Sequence, residues 1–98
     1  MTATPPADPL AELSACRVQI EEIDGRLVAL LAERVGLGKR TAALKRAASL
    51  PLLDPRREAE VIRRAGELAR ERGLDTEAVR QIFWHVIGLS RRAQESTP

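Results

Sequence analysis

Residues 10–50 contain no proline, and that single uninterrupted stretch limits the chain more than any other feature. Asp8-Pro9 sets a good N-cap residue just before a proline at the first helical position, so a helix is predicted to begin there. Leu13, Ile20, Leu27 and Leu31 follow at spacings of four and seven, with Ile23 and Leu30 beside them, a helical rather than a strand period. The stop is predicted at Leu50-Pro51. Gly25, Gly36 and Gly38 each cost such a helix about 1 kcal/mol relative to alanine, and a break at Gly36 to Gly38 is the competing reading. Unbroken, residues 10–48 would make a helix roughly 58 Å long, whereas a compact chain of this size has a radius of gyration of only about 12–13 Å. The 98 residues leave room for one small domain, and Phe83 and Trp84 are its only aromatics, so Leu, Val, Ile and Ala must do the packing. One chain cannot cover such a helix, and the uncovered part is expected to pack against the same helix of a second copy.

Two shorter helices follow. Asp54-Pro55 repeats the cap-then-proline signal, and Val61, Ile62, Ala65, Leu68 and Ala69 form the expected buried stripe. Gly73 supplies a left-handed residue to end that helix, with Arg70 and Arg72 suited to its negative pole. Asp75 or Thr76 caps a third helix, whose apolar positions are Val79, Ile82, Phe83, Val86 and Ile87. No strand candidate, internal repeat or glycine-rich phosphate loop is found. The predicted organisation is an N-terminal tail over residues 1–8 and one all-α domain over residues 9–95. Its helices are placed at about 9–49, 55–72 and 76–95, the first of them very long.

Sixteen basic and 14 acidic residues leave a net charge of +2, and the arginines alternate with glutamates instead of forming a block, so no nucleic-acid partner is expected. Cys16 is the only cysteine, which excludes an internal disulfide and any multi-cysteine metal site; it is expected to be a small apolar filler. No stretch approaches the ~20 apolar residues of a membrane span, and Met1 to Pro9 lacks the pattern of a secretory signal. A cytoplasmic protein is expected.

Polar residues on an apolar stripe must find a partner or bind something. The first helix carries Arg34, Gly38, Thr41 and Lys45 along its seam beyond Leu31. Arg34 and Lys45 are 11 residues apart, close to three turns, so both face nearly the same side about 16 Å apart and can clamp a small anion. Arg17 shares the seam but lies 17 residues before Arg34, about 25 Å away on a straight helix, too far to act in the same site of one chain. In an antiparallel pair of chains Arg17 of one copy can approach Arg34 of the other. Snorkelling at a helix boundary is the alternative for all three. Arg57 falls one turn before Val61 on the side expected to be buried, and Glu58 suits a helix start. Val86, Ser90 and Gln94 follow at four-residue spacing, so the third stripe turns from apolar to hydrogen-bonding. His85 has no second ligand at metal spacing, and neither a catalytic triad nor a Cys–His pair can be assembled. No metal site or cofactor is expected.

These residues together resemble the all-helical chorismate mutases of the small bacterial dimeric type. The likeness runs from about residue 10 to residue 95. It is carried by Arg17-x-x-Ile20-x-x-Ile23-Asp24, the run Leu27 to Arg34, Lys45, Asp54-Pro55-Arg56-Arg57-Glu58, Gly73-Leu74-Asp75, Phe83, Ser90 and Gln94. The resemblance implies an interlaced antiparallel homodimer with two equivalent sites, each receiving Arg17 from the partner subunit. It further implies that Arg34 and the partner's Arg17 hold two substrate carboxylates, helped by Arg57 and Ser90. Lys45 and Gln94 would donate to the ether oxygen that leaves, and Glu58, with the backbone near Asp54, would hold the ring hydroxyl.

The chemistry so implied, chorismate to prephenate, is a unimolecular rearrangement that breaks one C–O bond as a C–C bond forms, and it calls for no nucleophile, metal or redox cofactor. Holding the flexible side arm over the ring and placing donors where negative charge grows are what a protein can add. Isochorismate–pyruvate lyase and 4-amino-4-deoxychorismate mutase use the same fold and similar cationic pockets. Retention of Asp54, Arg57 and Glu58 favours chorismate. Trp84-His85 departs from the family pattern and leaves room for a regulatory partner enzyme. The non-enzymatic rival is a helical dimerisation module whose seam arginines pair with Glu21, Glu22 or Glu33.

Overall fold

A computed structural model describes residues 8–95, which form three helices, α1 (Pro9–Ala47), α2 (Pro55–Glu71) and α3 (Thr76–Glu95), with no strand among the described residues. The expected N-terminal tail, apart from Asp8, lies outside the described residues. Each helix starts for a reason visible in its residues. The Asp8 carboxylate accepts from the Ala11 amide at 3.2 Å, that of Asp54 from the Arg57 amide at 3.2 Å, and that of Asp75 from the Ala78 amide at 2.9 Å. Each aspartate thus satisfies one of the amides a helix start leaves open.

Helix α1 passes through Gly25, Gly36 and Gly38 without a break, so the reading of a break at Gly36 to Gly38 does not hold. It ends at Ala47, two residues short of the predicted end, because Ser49 adopts a left-handed conformation with φ of 57°. The Ser49 amide donates to the Arg46 carbonyl at 3.1 Å and the Leu50 amide reaches back to the Lys45 carbonyl at 2.8 Å. These two bonds make a Schellman ending, formed here without glycine. Helix α2 ends by the same pair of bonds around Gly73, whose φ is +69°. There glycine carries no steric cost.

The chain divides into two compact units, one ending at Ala32 and the other beginning at Glu33. In the first, every described residue from 8 to 30 is exposed, including the apolar Leu13, Ile20, Ile23 and Leu27. Cys16 is exposed too, so the expectation of a buried filler is corrected: nothing in its own unit covers it. In the second unit Ala42, Ala65, Ala69 and Ile87 form the buried core, and α2 packs on α3 through the small residues of its inner face. Gly66 belongs to that face although the stripe read from the sequence omitted it. A Cβ there would stand 2.6 Å from Arg80 Nε and 3.1 Å from Thr76 Cγ2, so a larger residue would push the Arg80 side chain aside and crowd Thr76. Leu68 and Ile82, expected to be buried, are exposed.

Candidate active site

The second unit holds an open cleft of about 800 Å³, walled by the C-terminal part of α1, the α1–α2 connection, the start of α2 and the end of α3. Arg34 and Lys45 enter from α1, both half-buried, as their three-turn spacing requires. Arg34 Nη1 donates to Ser90 Oγ at 3.1 Å, and Ser90 is the one polar residue buried in the core among the described residues. One turn further along α3, Gln94 Nε2 donates to the Gly38 carbonyl oxygen at 3.2 Å. Gly38 permits this because a Cβ there would sit only 3.3 Å from Gln94 Nε2. Its bond to Gly38 fixes which way the Gln94 amide points and leaves the second N–H free to donate elsewhere.

Lys45 Nζ donates to the Leu52 carbonyl at 3.1 Å, tying α1 to the α1–α2 connection. Asp54 lines the cleft while it caps α2, so one of its carboxylate oxygens is already engaged. Arg57 also lines the cleft but is exposed, with its guanidinium on Glu60 Oε2 at 3.3 Å. The expectation that it sits on the buried side is therefore corrected: its long side chain turns outward to an i, i+3 partner. Glu58 is half-buried and accepts a hydrogen bond from Arg91 of α3. That bond, with the attraction between the two charges, pushes the Arg91 pKa above its ordinary value.

Seven of the eight site residues expected from the sequence thus line one cleft: Arg34, Lys45, Asp54, Arg57, Glu58, Ser90 and Gln94. The eighth, Arg17, is an exposed residue of the first unit. Arg46, Arg91 and Glu95 line the cleft as well and were not singled out. Arg91 left a readable signal, since Ile87, Ser90, Arg91 and Gln94 fall at i, i+3, i+4 and i+7 and so share a helix face. Five cationic side chains, Arg34, Lys45, Arg46, Arg57 and Arg91, oppose the three carboxylates of Asp54, Glu58 and Glu95 on the walls, an excess of +2. A doubly anionic guest would balance that charge. Apolar Leu37, Leu52, Leu53, Val61 and Ile87 supply the remaining contact surface. Among the described residues no group of three metal-ligating side chains occurs, and no helix is long and apolar enough to cross a membrane. No ion pair there joins Arg17 or Arg34 to Glu21, Glu22 or Glu33.

Residues 16–95 match the family model described as chorismate mutase type II. A chorismate mutase of Methanocaldococcus jannaschii is 31% identical over 86 residues, which span 88% of this chain and 87% of that protein. The chain belongs to the chorismate mutase type II family. Its three-helix fold and its activity, that of an isomerase, follow from that membership. A 4-amino-4-deoxychorismate mutase of Streptomyces venezuelae is 34% identical over 64 residues, 65% of this chain and 62% of that protein. A 3-dehydroquinate dehydratase of Pyrobaculum aerophilum is 34% identical over 82 residues, 84% of this chain but only 24% of that longer protein.

Proposed function

We propose that the cleft binds chorismate in its compact, reactive shape and converts it to prephenate, with residues 9–95 acting as one catalytic domain. The observation that carries this reading is the convergence of Arg34, Lys45, Ser90 and Gln94 on a cleft with two surplus positive charges. Arg34, steadied by the Ser90 hydroxyl, offers its guanidinium to one carboxylate of the substrate. Arg57, which can swing inward from Glu60, assists with the other. As the ether C–O bond breaks and the new C–C bond forms, electron density gathers on the departing oxygen. Lys45 and the free N–H of Gln94 donate to that oxygen and lower the barrier. Glu58 and the backbone beside Asp54 receive the ring hydroxyl. The electrons move within one molecule, so the protein contributes orientation and charge alone.

The site is completed in this reading by Arg17 of a second copy of the chain. Its support is the exposed apolar row Leu13, Ile20, Ile23 and Leu27 on the same helix, which an antiparallel copy would cover. The homodimer is taken to work in the cytoplasm, where an unpaired cysteine such as Cys16 is at home. Exposed Trp84 is a surface on which a regulatory partner enzyme can sit.

Identity with the Streptomyces venezuelae enzyme keeps 4-amino-4-deoxychorismate as the second candidate substrate. Parallel incubation with chorismate, isochorismate and 4-amino-4-deoxychorismate, with products identified by mass spectrometry, separates them. Prephenate from chorismate as the dominant product is expected; pyruvate release from isochorismate, or turnover of the amino compound alone, would overturn the assignment.

A further inference from the structure

The pairing of Arg91 with Glu58 joins residues 33 positions apart and closes the cleft wall between the end of α3 and the first turn of α2. Stability does not explain it. Arg91 is substantially exposed, and exposed ion pairs add little to folding. Glu58 needs no such partner to suit its place, because a carboxylate in the first turn of a helix already meets the positive end of the dipole. The pair acquires a purpose from what the cleft is to hold. A carboxylate on the wall repels a doubly anionic guest, and repulsion grows as water is displaced. An arginine bonded to that carboxylate cancels its charge while leaving lone pairs open to a hydroxyl. It also restrains the glutamate's rotamers, so the accepting oxygen is in place before the ligand arrives.

From this geometry we infer that Arg91 is a positioning residue: through its hydrogen bond it fixes the Glu58 carboxylate, and neutralises it, so that the ring hydroxyl of the dianionic substrate can be accepted without repulsion. The inference rests on the reading of the cleft as a chorismate site. It concerns a residue outside the sequence-derived site, one that touches Glu58 and not the reacting atoms. Because Glu58 holds the hydroxyl in ground and transition states alike, loss of Arg91 weakens binding more than turnover.

The test is steady-state kinetics on the full-length chain with chorismate, using Arg91→Gln, Arg91→Lys, Glu58→Ala and the Glu58→Ala/Arg91→Gln double variant, each checked by thermal melting. Arg91→Gln is expected to melt like the wild type, to raise KM about tenfold, and to change kcat less than about threefold. Arg91→Lys, which keeps the charge, should recover most of that loss. In the Glu58→Ala background Arg91→Gln should change KM less than about twofold, because its target is gone. An unchanged KM in Arg91→Gln, or an equal effect with and without Glu58, would overturn the inference while leaving the chorismate reading intact. A large drop in melting temperature in Arg91→Gln that Arg91→Lys does not restore would overturn it too, as the pair would then be structural. Wild-type protein that leaves chorismate unchanged would remove both.

Discussion

The donors in the cleft are held by their neighbours before any ligand arrives. Arg34 rests on Ser90, Gln94 on the Gly38 carbonyl and Lys45 on the Leu52 carbonyl, each between 3.1 and 3.2 Å. None of these bonds uses up its donor group, since guanidinium, ammonium and primary amide all carry further N–H bonds. In the proposed mechanism, little reorganisation is then needed when the ether oxygen gains charge. Arg34→Ala and Lys45→Ala are each expected to lower kcat/KM for chorismate by about 10²–10³-fold with the helical circular dichroism unchanged. A fall in activity that merely tracks unfolding would leave the assigned roles unsupported. Gln94→Glu should make activity depend on acid: only the protonated carboxyl donates a hydrogen bond, so the rate should fall as pH rises through that group's pKa. A pH–rate profile as high at neutrality as in acid would contradict a donor at this position.

These residues were legible because they break a rule that α1 and α3 otherwise keep. A cation at Arg34 and at Lys45, and a hydroxyl at Ser90, stand where the helical period asks for apolar groups, and the stripes alone put them on one side. Arg91 was legible only in part: its spacing from Ile87, Ser90 and Gln94 puts it on their helix face, but nothing local names its partner. Its pairing with Glu58 shows only when the start of α2 is brought against the end of α3, a long-range contact that no local pattern encodes. Arg57 misled for the reverse reason: its position relative to Val61 fits the inner face, yet a flexible side chain on a first turn can reach outward, and it does.

Among the elements, starts were easier to read than ends. Three aspartates cap three helices through direct bonds to amides, a local interaction fully specified by adjacent residues. Endings depend on which residue accepts a left-handed conformation. Gly73 announces itself, whereas Ser49 does not, because serine enters that region only when hydrogen bonds to the preceding turn hold it there. The two endings therefore respond oppositely to substitution. Ser49→Gly is expected to stabilise the fold by about 0.5–1 kcal/mol, and Gly73→Ala to destabilise it by about 1 kcal/mol, as read by thermal or urea unfolding. The same sign for both would contradict the left-handed assignment at one of them. Gly66 was missed for a related reason: glycine inside a helix looks like a weak point on propensity alone, and only the approach of Arg80 and Thr76 shows what it admits.

At the scale of the whole molecule, the first unit poses the question the second does not answer. Its apolar row is regular and exposed, and Arg17 stands between Leu13 and Ile20 within it. The length of the proline-free stretch already argued for a second copy, since no single chain of this size can shield so long a helix. What no sequence period specifies is where that copy sits. The central claim, that two chains share a cationic site folding chorismate into its reactive form, is tested most directly by mixing two inactive variants, Arg17→Ala and Arg34→Ala, and measuring prephenate formation after subunit exchange. A mixed dimer rebuilds one intact site, so an equal mixture should recover about a quarter of wild-type activity. No recovery after exchange has been verified would contradict a site built from two chains.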